Sequence, residues 1–332
     1  MDKKLILKKI VEKQDLHIEE SEFIFNQIFQ GKLDEIEIAS FLTALKVKGE
    51  SPEEIAGAIK ILDKKKVKIE RGREFAIDTC GTGGDGKKCI NVSTAVAITL
   101  STAGIKVVKH GNSAQSGFLG SADILKEFNI PFNFDTDAAI NFFKNNSFVF
   151  LFAPLYHPAM KYVVPIRKKL GFPTIFNFIG PFINPAEPDF QVTGISNMKN
   201  LENIVNALSK AGKQNIIIYS SEDGYDEIST KAPTRCFEIN SEIKDFIIYP
   251  EDYFEPFEMP EVKDREDAKY MFIEAISGRS DELAKLISIN AMLPFCRARG
   301  VDFKEGYNFC YDLIKSGKVL EKFKKLQNRK GN

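Results

Sequence analysis

Between residues 75 and 220, short apolar runs alternate with segments of helical periodicity, and that alternation leaves few folds open. The runs Phe75–Asp78, Ile105–Val108, Phe148–Phe152, Val192–Ile195 and Ile216–Tyr219 have the length and side-chain content of buried strands. Between them, Ser93–Ala103, Ala122–Phe128, Ala138–Asn145, Ala159–Leu170 and Leu201–Ala211 carry apolar residues at helical spacing. Strands joined by crossover helices pair in parallel, and the helices then cover both faces of the sheet. Arg235–Ile239 and Glu242–Tyr249 read as a hairpin, and the chain from Asp264 to about Lys325 is helical.

The first 70 residues have a different texture. Leu5, Ile6, Ile10 and Val11 recur at helical spacing, as do Phe23, Ile24 and Ile28. Beyond a stop at Gly31 the pattern resumes with Ile36, Ile38, Phe41, Leu42 and Leu45. Ser51-Pro52-Glu53-Glu54 is a helix start: Ser at the N-cap, Pro at the first helical position, and Glu reaching back as a capping box. The helix Ile55–Leu62 runs into Asp63-Lys64-Lys65-Lys66. That stretch reads as a linker, or equally as a solvated helix end whose cations face the C-terminal dipole. The expectation is an α/β protein: a small all-helical domain plus a large α/β domain with a mainly parallel central sheet flanked by helices. A length of 332 residues suits roughly two domains.

Composition narrows the function classes. With 46 basic and 46 acidic residues the formal charge is zero, which argues against a generally basic nucleic-acid binder. No apolar run reaches the ~18–20 residues needed to span a bilayer. Lys8, Lys9 and Glu12 interrupt any signal-peptide core, so the cytosol is the expected compartment. Five scattered cysteines without a C-x-x-C point to buried free thiols rather than disulfides or zinc. Three histidines, far apart in sequence, do not suggest a metal cluster. His17 falls at a helix start without a role, and His157, before Pro158, reads as a cap of the following helix.

The strand at Phe75–Asp78 leads into Cys80-Gly81-Thr82-Gly83-Gly84-Asp85-Gly86, and a helix begins near Asn91-Val92-Ser93-Thr94. Glycines permit positive φ and leave backbone N–H groups free to converge on an anion, and the helix adds its positive N-terminal dipole. The loop matches neither a Walker motif nor a G-x-G-x-x-G fingerprint. Asn91, Ser93 and Thr94 serve as caps, phosphate ligands or cation ligands; capping alone accounts for one of the three. A second loop, Lys109-His110-Gly111-Asn112-Ser113-Ala114-Gln115-Ser116-Gly117 and then Gly120-Ser121-Ala122-Asp123, again supplies cation, glycine and hydroxyl at a strand's C-terminal end. Two such loops suit a substrate with several phosphates.

These motifs, D-T-C-G-T-G-G-D-G, N-V-S-T, K-H-G-N and G-S-A-D in this order and spacing, resemble the anthranilate phosphoribosyltransferase family of the nucleoside phosphorylase/phosphoribosyltransferase fold. The similarity continues through Tyr156-His157-Pro158-Ala159-Met160-Lys161, Arg167, Thr174–Asn177, Gly180–Ala186 and Gly224–Ser229, covering nearly the whole chain. The resemblance implies transfer of the phosphoribosyl group of 5-phosphoribosyl pyrophosphate (PRPP) to the amine of anthranilate in tryptophan biosynthesis. It implies a PRPP site from Gly81, Gly84, Asp85, Cys89, Asn91, Ser93, Thr94, Lys109, Gly117 and Ser121. Gly81, Asn112 and Arg167 are implied for anthranilate, with Arg167 facing its carboxylate. Mg²⁺ is implied at Ser93, Asp226 and Glu227, a hard-oxygen set that leaves room for water. Adjacent carboxylates often form a solvated face; Gly224 ahead of them and the strand at Asn215–Tyr219 favour a site. No residue is assigned as acid or base, and His110 is expected to shape its loop. The resemblance further implies a helical domain of residues 1–68 with a contribution from about 155–188, an α/β domain of 69–332, and a homodimer through the helical domain. Two alternatives stay open: transfer to another aromatic acceptor, or a non-enzymatic nucleic-acid-binding relative.

The second loop departs from the family pattern. Ser113 stands where the family has Arg, Gln115 where it has Val, and Gly117 in place of a Ser; Cys89 stands where Ser or Thr is common. Weaker PRPP binding, compensation by other lysines and a changed acceptor are all compatible with those exchanges.

Overall fold

The computed structural model describes residues 1–83, 86–114 and 118–327. Four helices come first: α1 (Lys3–Val11), α2 (Ile18–Phe29), α3 (Glu35–Lys48) and α4 (Pro52–Lys65). The sheet then begins with β1 (Ala76–Gly81), α5 (Val92–Thr102), β2 (Lys106–Gly111), α6 (Ser121–Glu127), α7 (Thr136–Asn146) and β3 (Phe148–Phe152). Three short helices follow, α8 (Ala153–Tyr156), α9 (Val164–Leu170) and α10 (Phe176–Ile179). The chain returns through β4 (Phe190–Gly194), α11 (Leu201–Lys210) and β5 (Ile216–Ser221) to the hairpin β6 (Thr234–Ile239) and β7 (Ile243–Ile248). It ends in α12 (Arg265–Ser277), α13 (Asp281–Arg299), α14 (Phe303–Lys315) and α15 (Lys318–Gln327).

The seven strands lie in the order β3-β2-β1-β4-β5-β6-β7. The first five in that order are parallel, and the hairpin joins antiparallel at the β5 edge. After β1 the chain adds strands on one side; with β4 it crosses to the other. The crevice between the C-terminal ends of β1 and β4 is therefore the topological switch point, where open α/β sheets bind ligands.

Each face of the sheet has its own core. On β5, Ile217 and Tyr219 join the core beneath α5 and the C-terminal helices. Ile216 and Ile218, pointing the other way, join a core that includes α2–α4, Val163, Ile166, Ile175, Phe176 and α11. All of β5 is buried, and its side chains enter the two cores alternately because strand side chains alternate. In the bundle the capping box forms as expected: Ser51 N–H donates to Glu54 Oε2 at 2.8 Å, and Glu54 N–H to Ser51 Oγ at 3.3 Å. Glu54, fully buried, also accepts from Leu16 N–H and pairs with Lys48 at 3.0 Å.

Two expectations fail here. Asp63–Lys66 is not a linker; it is a helix end with Lys64 and Lys65 in the last turn, but its last residue is not solvated. Helix α4 continues to Lys65, and buried Lys66 reaches Asp63 (2.9 Å), Glu187 (3.1 Å) and the Asn184 carbonyl (3.1 Å). Nor is Ala159–Leu170 one helix. A 3₁₀ turn, Pro158–Tyr162, precedes α9, because Pro165 is tolerated only in a first turn, so the helix starts afresh.

Candidate active site

At the switch point, Gly81 of β1 lies opposite Gly194 of β4, each at its strand's last position. Asp226, on the segment between β5 and β6, is pressed onto both. A Cβ on Gly81 would fall 2.3 Å from Asp226 Oδ2, and one on Gly194 would fall 1.7 Å from the Asp226 carbonyl oxygen. Neither position tolerates a side chain. The first loop is stitched to this spot: Gly83 N–H donates to Asp226 Oδ2 at 2.6 Å, and Thr82 N–H to Gly194 O at 2.9 Å. Thr82 Oγ1 accepts from Ser196 N–H at 3.2 Å.

Helix α5 points its N-terminus into the same region. Asn91 caps it, accepting from Thr94 N–H at 3.0 Å, and its amide lies 3.4 Å from Ser121 Oγ at the start of α6. Thr94 is fully buried, and its hydroxyl has no hydrogen-bond partner among the described residues. Ser93 Oγ accepts from Lys109 Nζ at 3.0 Å, and Lys109, almost wholly buried, also donates to Thr79 O at 2.5 Å. Burial lowers the Lys109 pKa, and the Asp78 charge opposes that shift. Burial raises Asp78 to about 6 against the pull of Lys109; its carboxylate accepts from Asn184 Nδ2 (2.7 Å) and His110 N–H (3.3 Å).

Thr79, Gly81, Ser93, Tyr219, Asp226 and Glu227 line a cavity of ≈ 20 Å³, with Asn290 on its wall. That is room for about one water-sized occupant. Burial raises the Asp226 carboxyl, and the Gly83 N–H and a Glu227 hydrogen bond oppose it. Tyr219 is held far above its usual range by burial, then by the charges of Glu227 and Asp226. Two carboxylates and a hydroxyl around so small a space favour a hard cation, whose charge would relieve both acids.

The residues implied for anthranilate, Asn112 and Arg167, do not line that cavity. Asn112 is exposed at the exit of β2, its Oδ1 accepting from Ser113 N–H at 2.8 Å. Arg167, in the last turn of α9, donates to Asn177 Oδ1 at 3.0 Å and lies over the Phe176 ring at 5.7 Å. Among the described residues no hydrogen bond joins Arg167 to Asn112 or to Gly81. Asp123 Oδ2 ties both ends of the second loop, accepting from Ala114 N–H (2.8 Å) and Gly120 N–H (2.9 Å). Gly84, Asp85, Gln115 and Gly117 lie outside the described residues; Cys89 packs, half-buried, against the sheet core.

The histidines also correct the sequence reading. Distant in sequence, His110 and His157 meet with Nε2 atoms 3.1 Å apart, both buried. His157 holds the N-cap position of the turn that follows, but its side chain makes no capping hydrogen bond. Burial pulls His157 down to about 4 and His110 well below its usual value, so the pair is neutral near pH 7. His17 stays exposed at the start of α2. Sequence reading missed Gly194, Asp78 and Asn290: a glycine ending V-T-G hints at close approach, but nothing in the sequence says what approaches.

Two family models match the chain. Residues 4–65 match a glycosyl transferase family helical bundle domain, and residues 73–320 match a glycosyl transferase family a/b domain. An anthranilate phosphoribosyltransferase of Thermoanaerobacter is 37% identical over 325 residues, covering 96% of each chain. The crystal structure of anthranilate phosphoribosyltransferase from Thermus thermophilus superposes with a TM-score of 0.87 at 28% identity, covering 98% of each chain. The Saccharomyces cerevisiae enzyme in complex with PRPP and Mg gives a TM-score of 0.81 at 26% identity, covering 94% of this chain and 92% of that one. With its switch-point crevice and nearly full-length likeness to these enzymes, the chain belongs to the anthranilate phosphoribosyltransferase family.

Proposed function

We propose that this protein transfers the phosphoribosyl group of PRPP to the amine of anthranilate, forming N-(5-phosphoribosyl)anthranilate and pyrophosphate. The observation that carries the reading is the Asp226–Glu227 pair, seated between Gly81 and Gly194 beside Ser93 at the switch point. In this reading the pyrophosphate of PRPP lies along the first loop and the α5 N-terminus, where N–H groups and the helix dipole favour anions. Gly81, Gly84, Asp85, Cys89, Asn91, Ser93, Thr94, Lys109, Gly117 and Ser121 form this PRPP site. The buried Thr94 hydroxyl, unpartnered among the described residues, supports it, as does Lys109 donating to Ser93.

The cavity's donor set fits Mg²⁺, held by Asp226, Glu227 and Ser93, and the relative solved with PRPP and Mg supports that choice. Bound there, Mg²⁺ would neutralise charge on the departing pyrophosphate. As the bond from ribose C1 to pyrophosphate oxygen breaks, the anthranilate nitrogen attacks C1 and then releases a proton. The amine is already neutral before attack, so catalysis rests on orientation and charge stabilisation rather than on a strong base. Arg167 and Asn112 orient the acceptor, with the guanidinium facing its carboxylate and Gly81 at the edge of the pocket. His110, neutral and buried with His157, supports the base of the second loop.

The helical domain comprises residues 1–68 with a contribution from 155–188, and 69–332 form the α/β domain; the packing of α2–α4 against Val163–Ile183 supports that contribution, in a core that runs on into α11 and β5. The chain pairs as a homodimer through α1 and α3. There Leu5, Val11, Ile36 and Val47 are 61–78% exposed, and Ile10, Val11, Ala39, Ala44 and Val47 line a groove of ≈ 430 Å³. A cytoplasmic location suits soluble substrates. The test of acceptor identity is a panel of carboxylated aromatic amines incubated with PRPP and Mg²⁺. The expected outcome is a phosphoribosyl adduct of anthranilate by mass spectrometry. An adduct of a different amine, with anthranilate untouched, overturns the assignment.

A further inference from the structure

The Asp226–Glu227 segment is held from below by a residue of the C-terminal helices. Asn290, 3% exposed in the middle of α13, grips the backbone of Ile228, the next residue after the carboxylate pair. Its Oδ1 accepts from Ile228 N–H at 2.8 Å, and its Nδ2 donates to Ile228 O at 3.0 Å. The second Nδ2 hydrogen goes to Leu286 O at 2.9 Å, so both amide donors are engaged. A side-chain amide thus closes a two-point clamp on one peptide position, as a neighbouring strand would. Ile228 itself is fully buried in the sheet core, which fixes the residue from both sides.

Position gives the clamp its meaning. Asp226 is set by Gly81, Gly194 and the Gly83 N–H on one side of the segment; Ile228 is set by Asn290 on the other. Glu227 stands between two fixed points and has little freedom in depth or direction. Asn290 also lines the cavity that Ser93, Asp226 and Glu227 share. Pro294 lies four residues on and has no N–H for the Asn290 carbonyl, so the helical ladder is interrupted at this residue.

We propose that Asn290 is a positioning residue for the divalent cation: it sets Glu227 relative to Asp226 and Ser93 and thereby tunes metal affinity. The inference rests on the metal reading above. Outer partners that orient metal-binding carboxylates are worth roughly 10–100-fold in affinity. The experiment is Mn²⁺ titration of the full chain with PRPP present, following free Mn²⁺ by its electron paramagnetic resonance signal. Asn290→Ala and Asn290→Gln, the second retaining an amide one methylene out of place, are compared with wild type. Steady-state kinetics for anthranilate accompany the titrations. Each folded variant should bind Mn²⁺ about tenfold more weakly, with the anthranilate KM unchanged. Should Asn290→Ala not fold, Asn290→Gln decides. Mn²⁺ affinity within twofold of wild type, in a set where Asp226→Ala/Glu227→Ala binds Mn²⁺ poorly, overturns the role of Asn290 alone. If that double variant binds Mn²⁺ as wild type does, the metal reading falls and the inference with it.

Discussion

The two loops flanking the crevice are built by different rules. The first is bound to the sheet: Thr82 and Gly83 bond to Gly194 and Asp226, and two glycines exist because Asp226 leaves no room for a Cβ. The second is bound mainly to itself. Asp123 ties Ala114 to Gly120, and Asn112 and Ser113 are exposed. Packing against Asp226 dictates Gly81 and Gly194, whereas Gly83 and Gly86 face open space and serve by their positive φ. In the second loop Gly120 is also confined, since a Cβ there would fall 2.3 Å from Ala114 N, and the described departure from the family pattern is the exposed Ser113.

The comparison breaks first at Asp226 and Glu227. Replacing both by Ala should lower kcat/KM on the order of 10³-fold, the scale of losing preorganised charge stabilisation. A decrease under tenfold would place the metal elsewhere.

Next in size is the glycine seat. Gly194→Ala puts a methyl 1.7 Å from the Asp226 carbonyl, so the segment must shift. The expected cost is about 3 kcal/mol in urea-unfolding stability. A change below about 0.5 kcal/mol would show that the first loop is no tighter than an ordinary surface turn.

Beneath the second loop, the buried His110–His157 pair sharpens the contrast between a rigid base and an exposed tip. His157 titrates at about 4 in the fold against 6.5 when free. As pH falls, the unfolded chain gains that proton first, so stability is lost below 6.5 and the loss levels off near 4. Asp78, raised to about 6, contributes with the opposite sign: acid protonates it in the folded state first. Comparison with His157→Gln cancels that shared contribution. Between pH 7.5 and pH 5, wild type should lose about 2 kcal/mol more than the variant. Parallel losses would mean that His157 is accessible to protons in the fold.

The smallest effect is expected at the loop tip. Ser113→Arg restores the family's cation at an exposed position, and about a threefold decrease in PRPP KM is expected, because exposed charges are weak and screened. The decrease should shrink with added salt. A tenfold gain insensitive to salt would make the second loop as well built as the first.

Much of this was legible in the sequence for a physical reason. Strand and helix periodicities report local burial, so all seven strands fell close to their expected positions, and the Ser51–Glu54 capping box formed as read. The glycine loop after β1 was visible in its glycine spacing, and the Asp226–Glu227 pair was singled out through the family resemblance. What stayed hidden depends on partners distant in the chain. Lys66 looked like part of a solvated run until Glu187 and Asn184 came to meet it. His110 and His157 looked unrelated, and Asn290 looked like one polar residue in a long helix. Burial of a polar group is a property of the fold, and periodicity cannot announce it.

The most direct test of the account uses anthranilate's own fluorescence, which the absence of tryptophan from this chain leaves unobscured. Purified protein, Mg²⁺, PRPP and limiting anthranilate are mixed, and fluorescence loss and pyrophosphate release are followed together. The account predicts one pyrophosphate per anthranilate consumed, with both signals arrested by chelating the metal. Pyrophosphate release with anthranilate unconsumed, or no turnover at all, would contradict it.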